Sequence, residues 1–351
     1  MQEIIKSSHI ADDLEKVIKS IHHDKLFVLT DEHTAQLCFP VIEPLESVKN
    51  AAQVVIPADD TNKTIENLQR VWQFLTENGA SRHSLLINLG GGMVTDLGGF
   101  AAATFKRGIK YINIPTTILG AVDAAVGGKT GINFMGLKNE IGAFYPSEYV
   151  IIASTFFTTL QPKDILSGYA EMIKHALIHS QLDWEKLLAF PLTDIHWEEM
   201  LELVFRSVSI KERIVEKDPF EQNIRKALNL GHTVGHAFES FALEKMQPVP
   251  HGYAVAWGLI TELYLSHRLC EFPKEKLQKT ARFIHQHYGA FNITCDDYEE
   301  LYRMMTHDKK NEGGAINFTL LSEIGNVKID QHADKKLIFE SLDFFRDAVG
   351  I

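Results

Sequence analysis

Cysteine is scarce in these 351 residues. There are three, Cys38, Cys270 and Cys295, widely separated and without a CxxC pair. That argues against a disulfide-stapled scaffold or a cysteine zinc site, and for a reducing, cytoplasmic setting. No window approaches about 18 uninterrupted apolar residues, so no membrane span is expected. Met1 to Asp12 has no long apolar run behind a basic start, so no signal peptide is expected. Excess positive charge is also lacking: 35 Lys and Arg stand against 46 Asp and Glu, a net charge of −11. A nucleic-acid partner is therefore not expected, whereas a small anionic substrate is allowed, because a few Lys and Arg can build a local positive pocket. Internal repeats and low-complexity linkers are absent as well.

What is present is a change of texture along the chain. Continuous apolar strands are predicted over residues 25–30, 52–57, 84–89, 111–114 and 149–152, with helical spacing over 12–22, 64–78 and 94–105. Short apolar strands alternating with helices imply a parallel sheet covered on both faces. Beyond Pro162 the reading is mostly helical, over 163–180, 196–217, 223–245, 252–270, 274–288 and 296–306, with a small hairpin at 316–321 and 326–329. The expected architecture is an α/β domain over residues 1–160 and a mostly helical domain over 161–351. A cleft between the two is the default site.

Two stretches of the first domain are candidates for ligand contact. Gly90-Gly91-Gly92-Met93-Val94-Thr95-Asp96 joins a strand to a helix. Glycines there let a backbone approach a ligand, and helix N-termini suit phosphate. The stretch has neither the GxGxxG pattern nor a Walker Lys-Ser/Thr, so a plain tight turn is equally consistent with it. Residues 115–146 then crowd Thr116, Thr117, Asp123, Lys129, Lys138 and Asn139 among many small residues. With Arg107 upstream, the lysines could bind phosphate or carboxylate; the bland alternative is a long solvated basic loop.

In the second half, His232 and His236 stand four apart, one turn on one face if helical. His251 follows a Pro-rich turn, and Glu171 lies on a predicted helix beside Lys174 and His175. Glu171, His232 and His251 would make a two-His, one-carboxylate site, which zinc tolerates well. Each histidine taken alone is as readily a surface or core side chain. Position 233, where a HExxH protease needs Glu, is Thr233. Lys211, Arg225 and Asn229 precede the histidines on what read as adjacent helical turns.

Taken together the residues resemble the 3-dehydroquinate synthase family over nearly the whole chain. The motifs that carry the resemblance run from Gly90 to Gly142, from Thr159 to His175 and from Arg225 to Gly252, and close on Asp308-Lys309-Lys310-Asn311. The resemblance implies a dehydroquinate synthase-like fold, a dinucleotide-binding α/β domain before a helical metal- and substrate-binding domain. It implies NAD+ and one divalent metal, zinc or cobalt. Glu171, His232 and His251 would be the ligands, with His236 a proton-handling neighbour of the substrate. NAD+ contacts would come from Asp31, Asp60, Lys63, Gly91, Gly92 and Met93. Asp96, Thr116, Thr117, Asp123 and Thr159 would join them, as would Lys129, Lys138 and Asn139.

The substrate it implies is a phosphorylated sugar acid, 3-deoxy-D-arabino-heptulosonate 7-phosphate. Lys129, Asn139, Lys174, Lys211, Arg225, Asn229 and Lys309 would meet it. Arg107 resembles a family arginine that reaches a phosphate across a homodimer interface. Departures are local: Ala124-Ala125 stand where many members have Ser-Ser, the stretch from Asn133 to Leu137 differs, and Asp60 stands where Glu is common. Competing readings are a glycerol-type polyol dehydrogenase that releases NADH, a cyclase for another heptulose phosphate, and a binding protein built on the fold.

Overall fold

The computed structural model describes residues 2–135, 137–306 and 316–351. The chain divides into two compact units, Met1–Gln161 with Ile195–Ser209, and Pro162–Asp194 with Ile210–Ile351.

The first unit begins with β1 (Glu3–Ser7), α1 (Ile10–Ser20), β2 (Leu26–Asp31), α2 (Glu32–Leu37), α3 (Phe39–Ile42) and β3 (Ala52–Ile56). It continues through α4 (Ile65–Glu77), β4 (Leu85–Gly90), α5 (Gly92–Thr104), β5 (Lys110–Pro115), the hairpin β6 (Lys129–Phe134) and β7 (Leu137–Phe144), and β8 (Tyr149–Ala153). Six strands form one parallel sheet in the order β1-β8-β5-β4-β2-β3. Successive residues of a strand face opposite sides. Leu85, Ile87 and Leu89 pack with α1 and α3 through Leu14, Ile18 and Ile42, while Leu86, Phe27 and Leu29 pack with α4 and α5 through Leu68, Leu75 and Leu97. Burial on both faces is why these strands read as unbroken apolar runs. Each such side chain contributes roughly 1.5–3 kcal/mol.

From β2 the chain steps outward to β3, then returns to lay β4 on the other side of β2 and continues away to β5. The strand order thus reverses between β2 and β4. In open parallel sheets, ligands bind outside the carboxyl ends of the strands at such a reversal.

The second unit holds α6 (Pro162–Leu177), α7 (Gln181–Ala189) and the part of α8 (Trp197–Lys217) from Ile210 onward. After these come α9 (His232–Glu244), α10 (His251–Cys270), α11 (Lys274–Tyr288), α12 (Tyr298–Thr306), the antiparallel pair β9 (Phe318–Glu323) and β10 (Asn326–Gln331), and α13 (Lys335–Val349). Helix α10 is the hub, packing against α6, α9, α11, α13 and β9, with Ala254, Val255, Leu259, Ile260 and Leu263 fully buried. Among the described residues no helix is long and apolar enough to cross a membrane.

Two expectations are corrected. The helix expected over 223–245 is broken: a 3-10 segment, Ile224–Asn229, ends at Leu230, Gly231 turns left-handed at φ 79°, and α9 starts only at His232. The apolar spacing continues across that break, so periodicity alone does not reveal it. Asn229 therefore lies in the 3-10 segment, not on a preceding turn of α9. Strands Lys129–Phe134 and Leu137–Phe144 pair as a hairpin where a loop was expected. Gly131 pairs with Gly142, and a Cβ at Gly142 would lie 2.1 Å from the Thr130 carbonyl oxygen. These glycines permit close strand approach.

Candidate functional site

Glu171 lies midway along α6, fully buried. Its Oε2 is bound by the ammonium of Lys174, one turn on. Its Oε1 has no hydrogen-bond partner but faces His232 Nε2 at 3.5 Å and His251 Nε2 at 3.6 Å. The two imidazoles are the first residues of α9 and α10. Each is held by its far nitrogen: His232 Nδ1–H donates to the Leu230 carbonyl at 3.1 Å, and His251 Nδ1–H to Glu239 Oε2 at 3.2 Å. With Nδ1–H so engaged, Nε2 is the ring nitrogen left to face Glu171 in both residues.

One ligand atom from each of Glu171, His232 and His251 lies within 4.8 Å of the others. A buried orphan carboxylate oxygen and two oriented imidazole nitrogens fit a divalent metal with nitrogen and oxygen ligands, and leave a position open for substrate. Burial alone would lower the His251 pKa, but the carboxylates of Glu171 and Glu239 on either side raise it to about 10. Burial by itself raises Glu171, yet Lys174 and the neighbouring imidazoles hold it below the usual carboxylate range.

His236 completes the cluster, with ring centroids 5.3 Å from His232 and 6.0 Å from His251. It is half-buried and one turn along α9. Lys174, Lys211 and Arg225 are buried cations of this unit. Arg225 Nη1 donates to the Pro219 carbonyl at 2.5 Å, and its backbone N–H to Asp218 Oδ2 at 3.0 Å. Asn229 Nδ2 donates to Glu221 Oε1 at 2.9 Å. Lys309, expected from the sequence to meet substrate, lies outside the described residues.

In the first unit, the candidate contacts gather at the carboxyl ends of the strands. Asp31 closes β2 and caps α2 by accepting from Thr34 N–H at 2.8 Å. Gly90 closes β4, and Gly91 is the N-cap of α5 with no side-chain cap of its own. Gly92 and Met93 open that helix. Asp31 and Gly91–Gly92 thus flank the reversal between β2 and β4. Thr116 N–H donates to the Gly90 carbonyl at 3.0 Å, and a Cβ at Gly91 would sit 3.3 Å from the Thr117 side chain. Asp123 lies in the π-helical turn Gly120–Ala124, and a Cβ at Gly120 would meet Gly92 N at 3.1 Å. A close-packed glycine turn at a helix N-terminus suits a pyrophosphate, so these residues fit a dinucleotide.

Beside it runs an ionic chain. Buried Lys63 Nζ lies 3.0 Å from Asp96 Oδ2 and 3.2 Å from Asp60 Oδ1, and Lys138 Nζ lies 3.8 Å from Asp60. Asn133 joins in, donating to the Asp60 carbonyl at 2.9 Å and accepting from Asn139 N–H at 3.0 Å. Burial raises the Asp96 pKa to about 6 in spite of Lys63.

Lys129 opens β6, exposed, and Thr159 ends the 3-10 segment after β8, also exposed. Arg107 is not part of this edge. It follows α5, which at 13 residues spans roughly 20 Å. With Arg82 and Lys106 it lines a separate cavity of about 310 Å³, on a turn where Lys106 and Arg107 both have positive φ.

The sequence reading missed Glu239, Glu262 and Gly252. Glu239 lies seven residues after His232, on the same helical face. Glu262 is the single acidic residue of α10, an anomaly in an apolar helix that was a usable signal.

Comparison with known proteins adds ancestry to this geometry. Residues 53–167 match the 3-dehydroquinate synthase N-terminal family model, and residues 168–311 match the C-terminal one. The chain belongs to the 3-dehydroquinate synthase family. A 3-dehydroquinate synthase of Parabacteroides distasonis is 53% identical over 350 residues, covering 100% of this chain and 99% of that one. Among solved structures, a 2-epi-5-epi-valiolone synthase from Streptomyces hygroscopicus with NAD+ and Zn2+ bound has a TM-score of 0.84 at 22% identity, covering 99% of this chain and 97% of that one. A 2-deoxy-scyllo-inosose synthase with carbaglucose-6-phosphate, NAD+ and Co2+ has a TM-score of 0.83 at 22% identity, covering 96% and 95%. At that identity the likeness is one of fold. The expected parallel-sheet α/β part followed by a helical part is therefore the architecture of a 3-dehydroquinate synthase family member.

Proposed function

We propose that the protein is a 3-dehydroquinate synthase, converting 3-deoxy-D-arabino-heptulosonate 7-phosphate to 3-dehydroquinate and phosphate. The observation that carries this reading is the convergence of Glu171 Oε1, His232 Nε2 and His251 Nε2 in a chain 53% identical throughout to a named 3-dehydroquinate synthase. NAD+ and the divalent metal, zinc or cobalt, supply when bound a transient oxidation and the polarisation of substrate oxygens.

The chain's own residues do the rest. Glu171, His232 and His251 hold the metal, while Lys174 and Glu239 orient two of them. The first unit is the dinucleotide-binding domain. There Asp31, Gly91, Gly92, Met93, Thr116, Thr117, Asp123 and Thr159 line the nucleotide edge, and the Asp60–Lys63–Asp96 chain with Lys138 and Asn139 supports it. The second unit binds metal and substrate. Lys174, Lys211 and Arg225 are cations for the substrate's carboxylate and phosphate, with Asn229 donating beside them; Lys129, Asn139 and Lys309 add to that set. His236 carries a proton through an imidazole nitrogen. Arg107 reaches the phosphate of a partner's substrate, which makes the working form a homodimer. The enzyme is cytoplasmic.

The test is to incubate purified protein with the heptulosonate phosphate, catalytic NAD+ and zinc, following phosphate and NADH absorbance together. Phosphate release without net NADH is the expected result. Stoichiometric NADH from glycerol with no phosphate release would make the protein a polyol dehydrogenase instead. Light scattering checks the dimer.

A further inference from the structure

Helix α9 starts without a cap of its own. Its N-cap, Gly231, sits at φ 79°, where L side chains are strained, and it has no side chain to offer the first-turn N–H groups. Acceptors come from far along the chain. Glu262, on α10, takes the Gly231 N–H on Oε2 at 2.6 Å and the Val234 N–H on Oε1 at 3.0 Å. Its carboxylate is fully buried. A buried charge persists only where it is met, and here the positive end of α9 and its N–H groups meet it.

One turn earlier on α10, the two backbones touch. A Cβ at Gly258 would lie 2.1 Å from Gly231 O and 2.7 Å from Gly235 N. Gly231 is thus pinned by Glu262 through its N–H and by Gly258 through its carbonyl. The next residue is His232, and α10 itself begins at His251.

We propose that Glu262 is a positioning residue of the metal centre. Its carboxylate locks the first turn of α9 to α10, and so sets where His232 Nε2 stands relative to His251 Nε2 and Glu171 Oε1. The inference rests on the reading of those three residues as metal ligands. Glu262 acts through the backbone, by fixing the left-handed glycine from which the His232 side chain is launched.

The test compares the parent chain with Glu262→Gln, Glu262→Asp and His232→Ala. Glutamine keeps the shape but turns an NH2 group toward one of the two N–H donors; aspartate keeps the charge but falls one methylene short. Four quantities are read on the full chain: zinc affinity by chelator competition, the visible absorption of the cobalt-loaded protein, NAD+ affinity and the thermal melt. Glu262→Gln is expected to fold and keep its NAD+ affinity within about twofold, while zinc binding weakens about 10–100-fold and the cobalt absorption changes. Glu262→Asp is expected to lie between it and the parent.

A lower melting temperature with unchanged zinc affinity and cobalt absorption overturns the assignment, since that is what a purely structural cap would give. If glutamine does not fold, aspartate decides. If neither folds, Glu262 belongs to the fold rather than the site and the assignment fails. A parent that binds neither zinc nor cobalt, or whose binding survives His232→Ala, overturns the metal reading and this inference together. A parent whose binding is abolished by His232→Ala but unaffected by Glu262→Gln overturns this inference alone.

Discussion

Gly252→Ala is a one-carbon change that should dismantle the metal centre from outside it. Gly252 follows His251 in the first turn of α10, and its N–H donates to Ser167 Oγ at 3.1 Å. An added Cβ would lie 1.9 Å from the Ser167 carbonyl oxygen and 2.6 Å from its Cα. Both are backbone atoms of α6, one turn before Glu171, so no side chain can swing aside. To restore ordinary contact, α10 and α6 must part by about 1.5 Å. Metal–ligand distances tolerate about 0.2 Å. His251 rides on α10 and Glu171 on α6, so the separation exceeds that tolerance several-fold.

Two energetic terms oppose each other. Helix propensity favours Ala over Gly by up to about 1 kcal/mol, while overpacking of this kind costs about 1–3 kcal/mol. With both contacts made to backbone, the steric term wins. The melting temperature should fall by several degrees, at roughly 2–4 °C per kcal/mol for a unit of this size. Zinc affinity, read by chelator competition, should fall by at least about 100-fold, while NAD+ affinity, which the proposed function assigns to the first unit, is expected to stay level. A Gly252→Ala protein that melts with the parent and binds zinc equally well would refute the claim that backbone contact between α6 and α10 sets the ligand geometry.

Three further outcomes are expected. His232→Ala should lose metal and activity together, whereas His236→Ala should retain metal, measured by elemental analysis after dialysis, and lose turnover; metal loss in the second variant would exchange the roles of the two histidines. Zinc affinity should rise about tenfold per pH unit between pH 7 and 8. The His251 pKa is raised to about 10 in the metal-free protein, so its proton must leave when metal binds, and a flat profile would contradict this. The third outcome concerns Asp96, whose pKa burial raises to about 6, above its unfolded value near 3.9. Folding therefore favours the protonated form, and the stabilisation present at low pH is lost as pH rises from about 4 to 6, by at most about 3 kcal/mol. The stability difference between the parent and Asp96→Asn, from urea melts, should shift in the variant's favour over that window; no shift would mean Asp96 is not desolvated.

Five of the six strands of the sheet were legible because burial on both faces writes them as apolar runs, and the convergence of Glu171, His232 and His251 was legible because a carboxylate and two imidazoles are the residue types a divalent metal site would require. Other parts were hidden for specific reasons. Strand β1 has only one side chain, Ser7, fully buried, so it lacks the apolar signature. Hairpin β6–β7 carries glycines and exposed charges that read as loop, because strand pairing is a fact about the facing strand and not about the segment. The break at Gly231 was invisible because a left-handed residue changes neither composition nor spacing.

The histidine pair shows how such a break matters. In a continuous helix His232 and His236 would be equivalent, one turn apart, each with nitrogens free to face the same way. The break makes His232 the first residue of α9, where helix side chains lean back toward the N-terminus. Its Nδ1 therefore finds the Leu230 carbonyl, and its Nε2 is turned to Glu171. His236 lies one full turn further along α9, its ring 5.3 Å from that of His232. The two histidines are thus made different by a glycine before the first of them, and that glycine is held in turn by Glu262, 31 residues later. Residue types specify which atoms could ligate; contacts distant in sequence specify which of them converge.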